Sequence, residues 1–298
     1  MVVLRSAEEQ EFVRLAHRAR PLWLVVAGLL QAATYFFQAE VWQAVLRPAK
    51  ATVGIGAMCK LTVARLFIDQ ALPSAGLSGT VLAVKVLERD AVPLPVVMAG
   101  AVIDTASCFA TYGCGLVAAF VITVARGHAT ALLVGAFAAF LAFAAALTVG
   151  ALHLSGHPAG PFVHRLARLR PLGAGLRLLE QADPRLSHSP RVLLEASAYQ
   201  MIVLLLDAAT MWVLIAALDA TASPSGVFAS FMMSTLLRLV GILPGGLGVF
   251  EAASVLTLRL VGVELSVALS ATLLFRGLSF WLPLAPGLWF SRRYVRGR

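Results

Sequence analysis

From Leu94 to Ala125 the chain carries one charged side chain, Asp104, and a second apolar run, 129–154, follows almost at once. A helix needs about 20 apolar residues to cross the hydrocarbon core of a bilayer, and further runs of that kind cover 21–46, 192–218 and 264–290. Composition agrees, at 59% hydrophobic and 13% charged residues with a mean hydropathy of +0.85. Strands of a membrane barrel would read as ten-residue alternations, which these unalternated runs are not. The class that follows is an all-α integral membrane protein, a polytopic helical bundle.

The formal charge of +9 would suggest nucleic acid for a soluble protein. Here the basic residues lie in the connections between apolar runs, where they act as orientation signals, so no nucleic-acid partner is expected. Cys59, Cys108 and Cys114 lie in or beside apolar sequence without a CxxC or Cys/His cluster, and read as small buried hydrophobes. His153, His157, His164 and His188 surround the central loop at spacings that match no metal site. Neither a metal nor a cofactor is expected. Residues 1–20 are polar and amphipathic, without the order of a signal peptide.

Two glycine and proline breaks interrupt the apolar sequence. The second is Leu243-Pro244-Gly245-Gly246-Leu247-Gly248-Val249-Phe250-Glu251, with Arg238 before it. The first is Leu72-Pro73-Ser74-Ala75-Gly76-Leu77-Ser78-Gly79, with Arg65 and Asp69 before it. In lipid a broken helix with ionisable flanks is costly unless its freed backbone and charges line a polar cavity. Two broken segments in corresponding positions point to a transporter-like site. Pro73 lies 171 positions before Pro244, and each break leads to a short apolar segment and then a long run containing an ionisable residue, Asp104 in the first half and Arg276 in the second. By position those two are one residue from equivalence, which suggests an Asp104–Arg276 ion pair near the repeat axis. Asp69, four residues after Arg65, is expected to neutralise it along the helix.

The chain is therefore read as a single transmembrane domain, 1–298. Repeat one covers about 21–154 and repeat two about 191–290, joined by a basic loop at 155–190. That loop carries Arg165, Arg168, Arg170, Arg177 and Arg185, and its leucines Leu166, Leu169, Leu176, Leu178 and Leu179 suit a short helix on the headgroups. Segments 52–71 and 80–92 flank the first break, and 225–243 and 247–262 the second. Each pair is expected to form a re-entrant hairpin. With the loop and the C-terminal arginines on the cytoplasmic side, the hairpins open to opposite sides, which makes the repeats inverted. This puts residues 1–20 outside despite Arg5, Arg14, Arg18 and Arg20. The alternative keeps the N-terminus inside, with 52–71 crossing once and 80–92 lying at the surface.

Arg238 has two readings: a snorkelling or Glu251-paired side chain, or a bidentate ligand of a lipid phosphate. Arg65 and Arg276 are weaker candidates for the second role. Glu251 is either a counter-ion to Arg238 or Arg276, or a free carboxylate for a cationic headgroup or a coupling proton. Glycines at Gly245, Gly246 and Gly248, after Pro244, let backbones approach and leave amides for a phosphate. Asp207, inside the 192–218 run, is either buried or beside a polar groove. Trp212, Trp281 and Trp289 read as interface anchors.

The string Arg238 to Glu251, followed by Phe275-Arg276-Gly277-Leu278-Ser279-Phe280-Trp281-Leu282-Pro283, resembles the lysylphosphatidylglycerol synthase transmembrane-region family. That family includes the flippase domain of the bacterial multiple peptide resistance factor. The resemblance covers nearly the whole chain, and its specific motif is in the second half; the first break departs from the family's richer glycine and acidic pattern. Leu22 to Arg47 resembles the family's second span, which implies that a first span is missing here and an external N-terminus. With no aminoacyl-transferring domain after residue 298, the resemblance implies the flippase portion and not the synthase.

No aspartate-rich magnesium pair, GxSxG serine or HExxH motif accompanies these features, so an enzyme is not expected. The absence of a P-loop removes ATP hydrolysis as an internal energy source and leaves passive scrambling or ion coupling. The function expected is movement of a phospholipid or glycolipid headgroup across the inner membrane, with membrane lipids as partners. A solute or ion transporter, or a membrane partner of a lipid-synthesising or glycosyltransferase enzyme, are the alternatives.

Overall fold

The computed structural model describes residues 20–71, 77–125, 127, 131–155, 180–240 and 246–296. Helices α1 (Pro21–Leu46), α2 (Ile55–Ala71), α3 (Leu77–Arg89), α4 (Leu94–Ala125) and α5 (Ala131–Leu154) make the first half. A short α6 (Pro184–Ser187) leads into α7 (Pro190–Ala217), α8 (Pro224–Val240), α9 (Val249–Leu260) and α10 (Leu265–Arg276). A π-helical turn, Gly277–Trp281, joins α10 to α11 (Leu282–Arg296) without a loop. No strand occurs among the described residues.

Local sequence accounts for many of the ends. Pro21, Pro184, Pro190 and Pro224 each open a helix, where the missing N–H costs nothing and the fixed φ is already helical. Helices α1, α3 and α7 close through left-handed residues that are not glycine, Lys50, Ala91 and Asp219. In each, the next amide returns to a carbonyl five residues back: Ala51 to Leu46, Val92 to Leu87 and Ala220 to Ile215. These are Schellman closures, which spare the last carbonyls an unpaired end in lipid.

Five stretches are long and apolar enough to cross a membrane: Pro21–Leu46, Leu94–Ala125, Phe137–Leu154, Pro190–Ala217 and Leu265–Tyr294. Their large apolar side chains also face outward in stripes. Leu22, Val25 and Leu29 on α1, and Val117, Val121 and Val124 on α4, are exposed at helical spacing, the pattern of a surface that meets acyl chains. The four helices beside the breaks are shorter. Helices α2 and α3 have 17 and 13 residues, and α8 and α9 have 17 and 12. At 1.5 Å per residue the longest reaches about 26 Å, short of the roughly 30 Å core. α2 packs along α3, and α8 along α9.

The chain forms two compact units. One comprises Tyr35–Gly113, Ala139–Val203 and Pro283–Arg298, and holds the first helical pair. Its core is Trp42, Leu46, Met58, Leu61, Leu87, Met98 and Ile103, all fully buried. The other comprises Met1–Thr34, Cys114–Ala138 and Leu204–Leu282, and holds the second pair. Its centre is a trio of rings, Phe231, Phe250 and Phe275, with centroids 5.6–6.3 Å apart. Lipid solvates apolar surface as well as another helix does, so close packing and polar bonds carry helix association in such a protein.

The expected leucine-rich loop helix, with Arg165, Arg168, Arg170 and Arg177, lies outside the described residues, as do residues 1–19.

Candidate functional site

In the first-pair unit, Asp104 of α4 is the centre of a polar cluster. It accepts hydrogen bonds from Arg65 Nη2 at 3.1 Å, Trp42 Nε1 at 3.1 Å, Gln38 Nε2 at 3.0 Å and Gln200 Nε2 at 3.0 Å. These donors come from α2, α1 and α7, so one carboxylate joins four helices. The Arg65 guanidinium lies over the Trp42 ring at 4.3 Å. Four donors fill the lone-pair sites of a carboxylate, and an ion pair completed by neutral hydrogen bonds is the form in which buried charges persist.

In the second-pair unit, the centre is a guanidinium. Arg276, at the end of α10, is 5% exposed and donates from Nε to Glu251 Oε1 at 2.7 Å. It faces the rings of Phe280 at 4.4 Å and Phe250 at 5.4 Å. The other oxygen of Glu251 accepts the Gly248 amide at 2.6 Å. Glu251 is the third residue of α9 and Gly248 its cap, so the carboxylate closes the start of that helix as well as neutralising the arginine. Gly246 and Gly248 have φ of +64° and +83°, a left-handed backbone that an L side chain resists. At Gly246 a Cβ would also overlap the stem of Arg238.

Asp104 takes Arg65, and Arg276 takes Glu251. Each ion in the run after a break is neutralised by a residue of the preceding short pair, 39 residues away for Asp104 and 25 for Arg276. The charge of Arg65 acts on Asp69 as the helical spacing suggests, but the hydrogen bonds go elsewhere: Asp69 accepts the Gly79 amide at 2.9 Å across the first pair, and Arg65 donates to Asp104.

Arg238, near the end of α8, is half-buried, and its Nε has no hydrogen-bond partner among the described residues. Of Arg65, Arg238 and Arg276, it alone bonds no carboxylate among those residues. Farther along the second pair, a hydroxyl ladder joins α8 to α9 and α9 to α10: Ser230 to Thr257 at 2.6 Å, Ser234 to Thr257 at 3.2 Å, Ser254 to Thr272 at 2.9 Å. Asp207 on α7 accepts from Gln31 Nε2 at 3.3 Å and Thr34 Oγ1 at 3.4 Å. Pro73, Pro244 and Gly245 lie outside the described residues.

Sequence reasoning missed Gln31, Thr34, Gln38, Trp42 and Gln200. Their signal was present: amides and a hydroxyl inside apolar runs are expensive in lipid and so mark polar partners. The fold thus defines a multi-pass helical membrane protein whose two short helical pairs each contribute one ion, Arg65 or Glu251, to a guanidinium–carboxylate–aromatic cluster. The chain belongs to the family described as the lysylphosphatidylglycerol synthase TM region, which matches residues 1–287. It is also 38% identical over 56 residues to the UPF0104 membrane protein PH1989 of Pyrococcus horikoshii. That stretch is 19% of this chain and 17% of the relative.

Proposed function

We propose that the protein moves a phosphate-bearing lipid between leaflets, as a transporter and not an enzyme, in the inner membrane. The observation that carries this reading is Arg238. It is a half-buried guanidinium beside a glycine break, with no carboxylate partner among the described residues, while Arg65 and Arg276 are both neutralised. A guanidinium so placed is available for the oxygens of a headgroup phosphate, replacing part of the water that the phosphate sheds. In this reading the two short pairs are re-entrant hairpins of inverted orientation. Their breaks provide a polar route at depth while acyl chains stay in the bilayer. Membership of a membrane family named for a lipid-modifying synthase supports a lipid as cargo.

The test is leaflet exchange in phosphatidylcholine vesicles holding the full chain and a headgroup-labelled phosphatidylethanolamine. A reductant that does not cross the membrane bleaches outer-leaflet label. Arg238→Ala is expected to slow bleaching of the inner pool at least about tenfold, the loss of one charge-assisted bond to phosphate. Arg238→Lys, which keeps charge but not the fork, falls between. Equal rates in wild type and Arg238→Ala would exclude the mechanism.

A further inference from the structure

Asp207 is a membrane-depth carboxyl that the reading above leaves unused. It lies ten residues before the end of α7, about 15 Å along the helix axis. Unlike Asp104 and Glu251, it bonds no cation among the described residues. Its hydrogen-bond partners are neutral and come from α1: the Gln31 amide at 3.3 Å and the Thr34 hydroxyl at 3.4 Å. Both are longer than ordinary N–H···O and O–H···O bonds, which fall at about 2.7–3.2 Å and about 2.5–3.0 Å. From α8 the charge of Arg238 acts on Asp207 through space, without a bond between them.

The neighbouring amide has an open acceptor. Gln31 is 3% exposed, and its Oε1 is buried with no hydrogen-bond partner among the described residues. Turning that amide about its last torsion exchanges Nε2 for Oε1. The donor then suits an Asp207 carboxylate, and the acceptor suits an Asp207 carboxyl that has gained a proton on Oδ1. The pair therefore has a complementary arrangement for either protonation state.

We propose that Asp207 is a proton-binding site, loaded when an anionic phosphate occupies Arg238; the second half of this rests on the Arg238 reading above. With Arg238 free, the Asp207 carboxylate balances its charge. A phosphate arriving at Arg238 brings a negative charge towards Asp207, and like charges at low dielectric disfavour one another. Proton uptake on Asp207 removes that repulsion, and release of the phosphate returns the proton. Lipid and proton are thereby linked, and by reciprocity a proton gradient biases the lipid.

Two measurements on the full chain in phosphatidylcholine vesicles test this. The first is the infrared C=O stretch of protonated carboxyls, followed between about pH 5 and about pH 8, the range open to buried carboxyls. A band that titrates in wild type and vanishes in Asp207→Asn is expected. Thr34→Val, which removes a donor to the charged form, is expected to move its midpoint up by about half a unit. This variant keeps the test decisive if Asp207→Asn fails to fold. Absence of any titrating band that depends on Asp207 or Thr34 overturns the proposal.

The second is leaflet exchange of headgroup-labelled phosphatidylethanolamine with and without a gradient of about one pH unit, which is about 1.4 kcal/mol per proton. Wild type is expected to change rate at least about threefold, and to lose the change on adding a protonophore. Asp207→Asn is expected to show no gradient response. A response that survives in Asp207→Asn overturns the coupling. A titrating band with no lipid movement in wild type supports the proton site and overturns the lipid reading instead.

Discussion

The two helical pairs solve one problem with opposite hubs. In the first unit a carboxylate, Asp104, sits on the long helix after the break and draws in Arg65 from the short pair. In the second a guanidinium, Arg276, follows the break and draws in Glu251. Both arginines also lie on an aromatic face, Trp42 in one and Phe280 in the other. The reach differs. Among the described residues Asp104 gathers donors from three other helices, whereas Glu251 bonds Arg276 and the Gly248 amide at the start of its own helix. The first hub fastens a short pair to long helices; the second shapes the break itself. The π-helical turn begins directly after Arg276, and such turns often mark functional positions.

The difference is open to measurement through stability in detergent. Asp104→Ala strands Arg65, Trp42 Nε1 and two glutamine amides at once, and is expected to cost the most, about 3–5 kcal/mol. Equal cost for Asp104→Ala and Glu251→Ala would break the distinction in reach. Glu251→Ala leaves Arg276 without its carboxylate and uncaps α9, for an expected loss of about 3 kcal/mol. Glu251→Gln keeps an acceptor for the Gly248 amide, so it should recover about 1 kcal/mol of that. Combining Asp104→Ala with Glu251→Ala sharpens the point: hubs with no shared partner should add within about 0.5 kcal/mol. A larger coupling energy would show that the two clusters act as one.

The smallest effect belongs to the hydroxyl ladder. Thr257→Val removes the contact with both Ser230 and Ser234, yet interhelical hydrogen bonds in membranes average about 0.6 kcal/mol. A thermal shift beyond that of Glu251→Gln would mean that the ladder, and not the ion pair, holds the second pair together.

The helical class, the five long runs and both breaks were legible in sequence because lipid imposes a length and a polarity that residues report directly. The family was legible through the Arg238 to Glu251 string. Helix ends were less so. The closures at Lys50, Ala91 and Asp219 use left-handed residues without glycine, which sequence gives little reason to expect.

What sequence alone determined is where the chain is apolar, where its helices break, and which ionisable residues lie at depth. Helical spacing relates Asp69 to Arg65, four residues away, and the offset between the breaks relates Asp104 to Arg276, but neither reports which donors surround a carboxylate. Tertiary structure decided those, giving Asp104 to Arg65, Gln38, Trp42 and Gln200, and Arg276 to Glu251. The reason is electrostatic. A charge at low dielectric is held by whichever donors or acceptors complete its shell, and packing brings those from helices far apart in the chain.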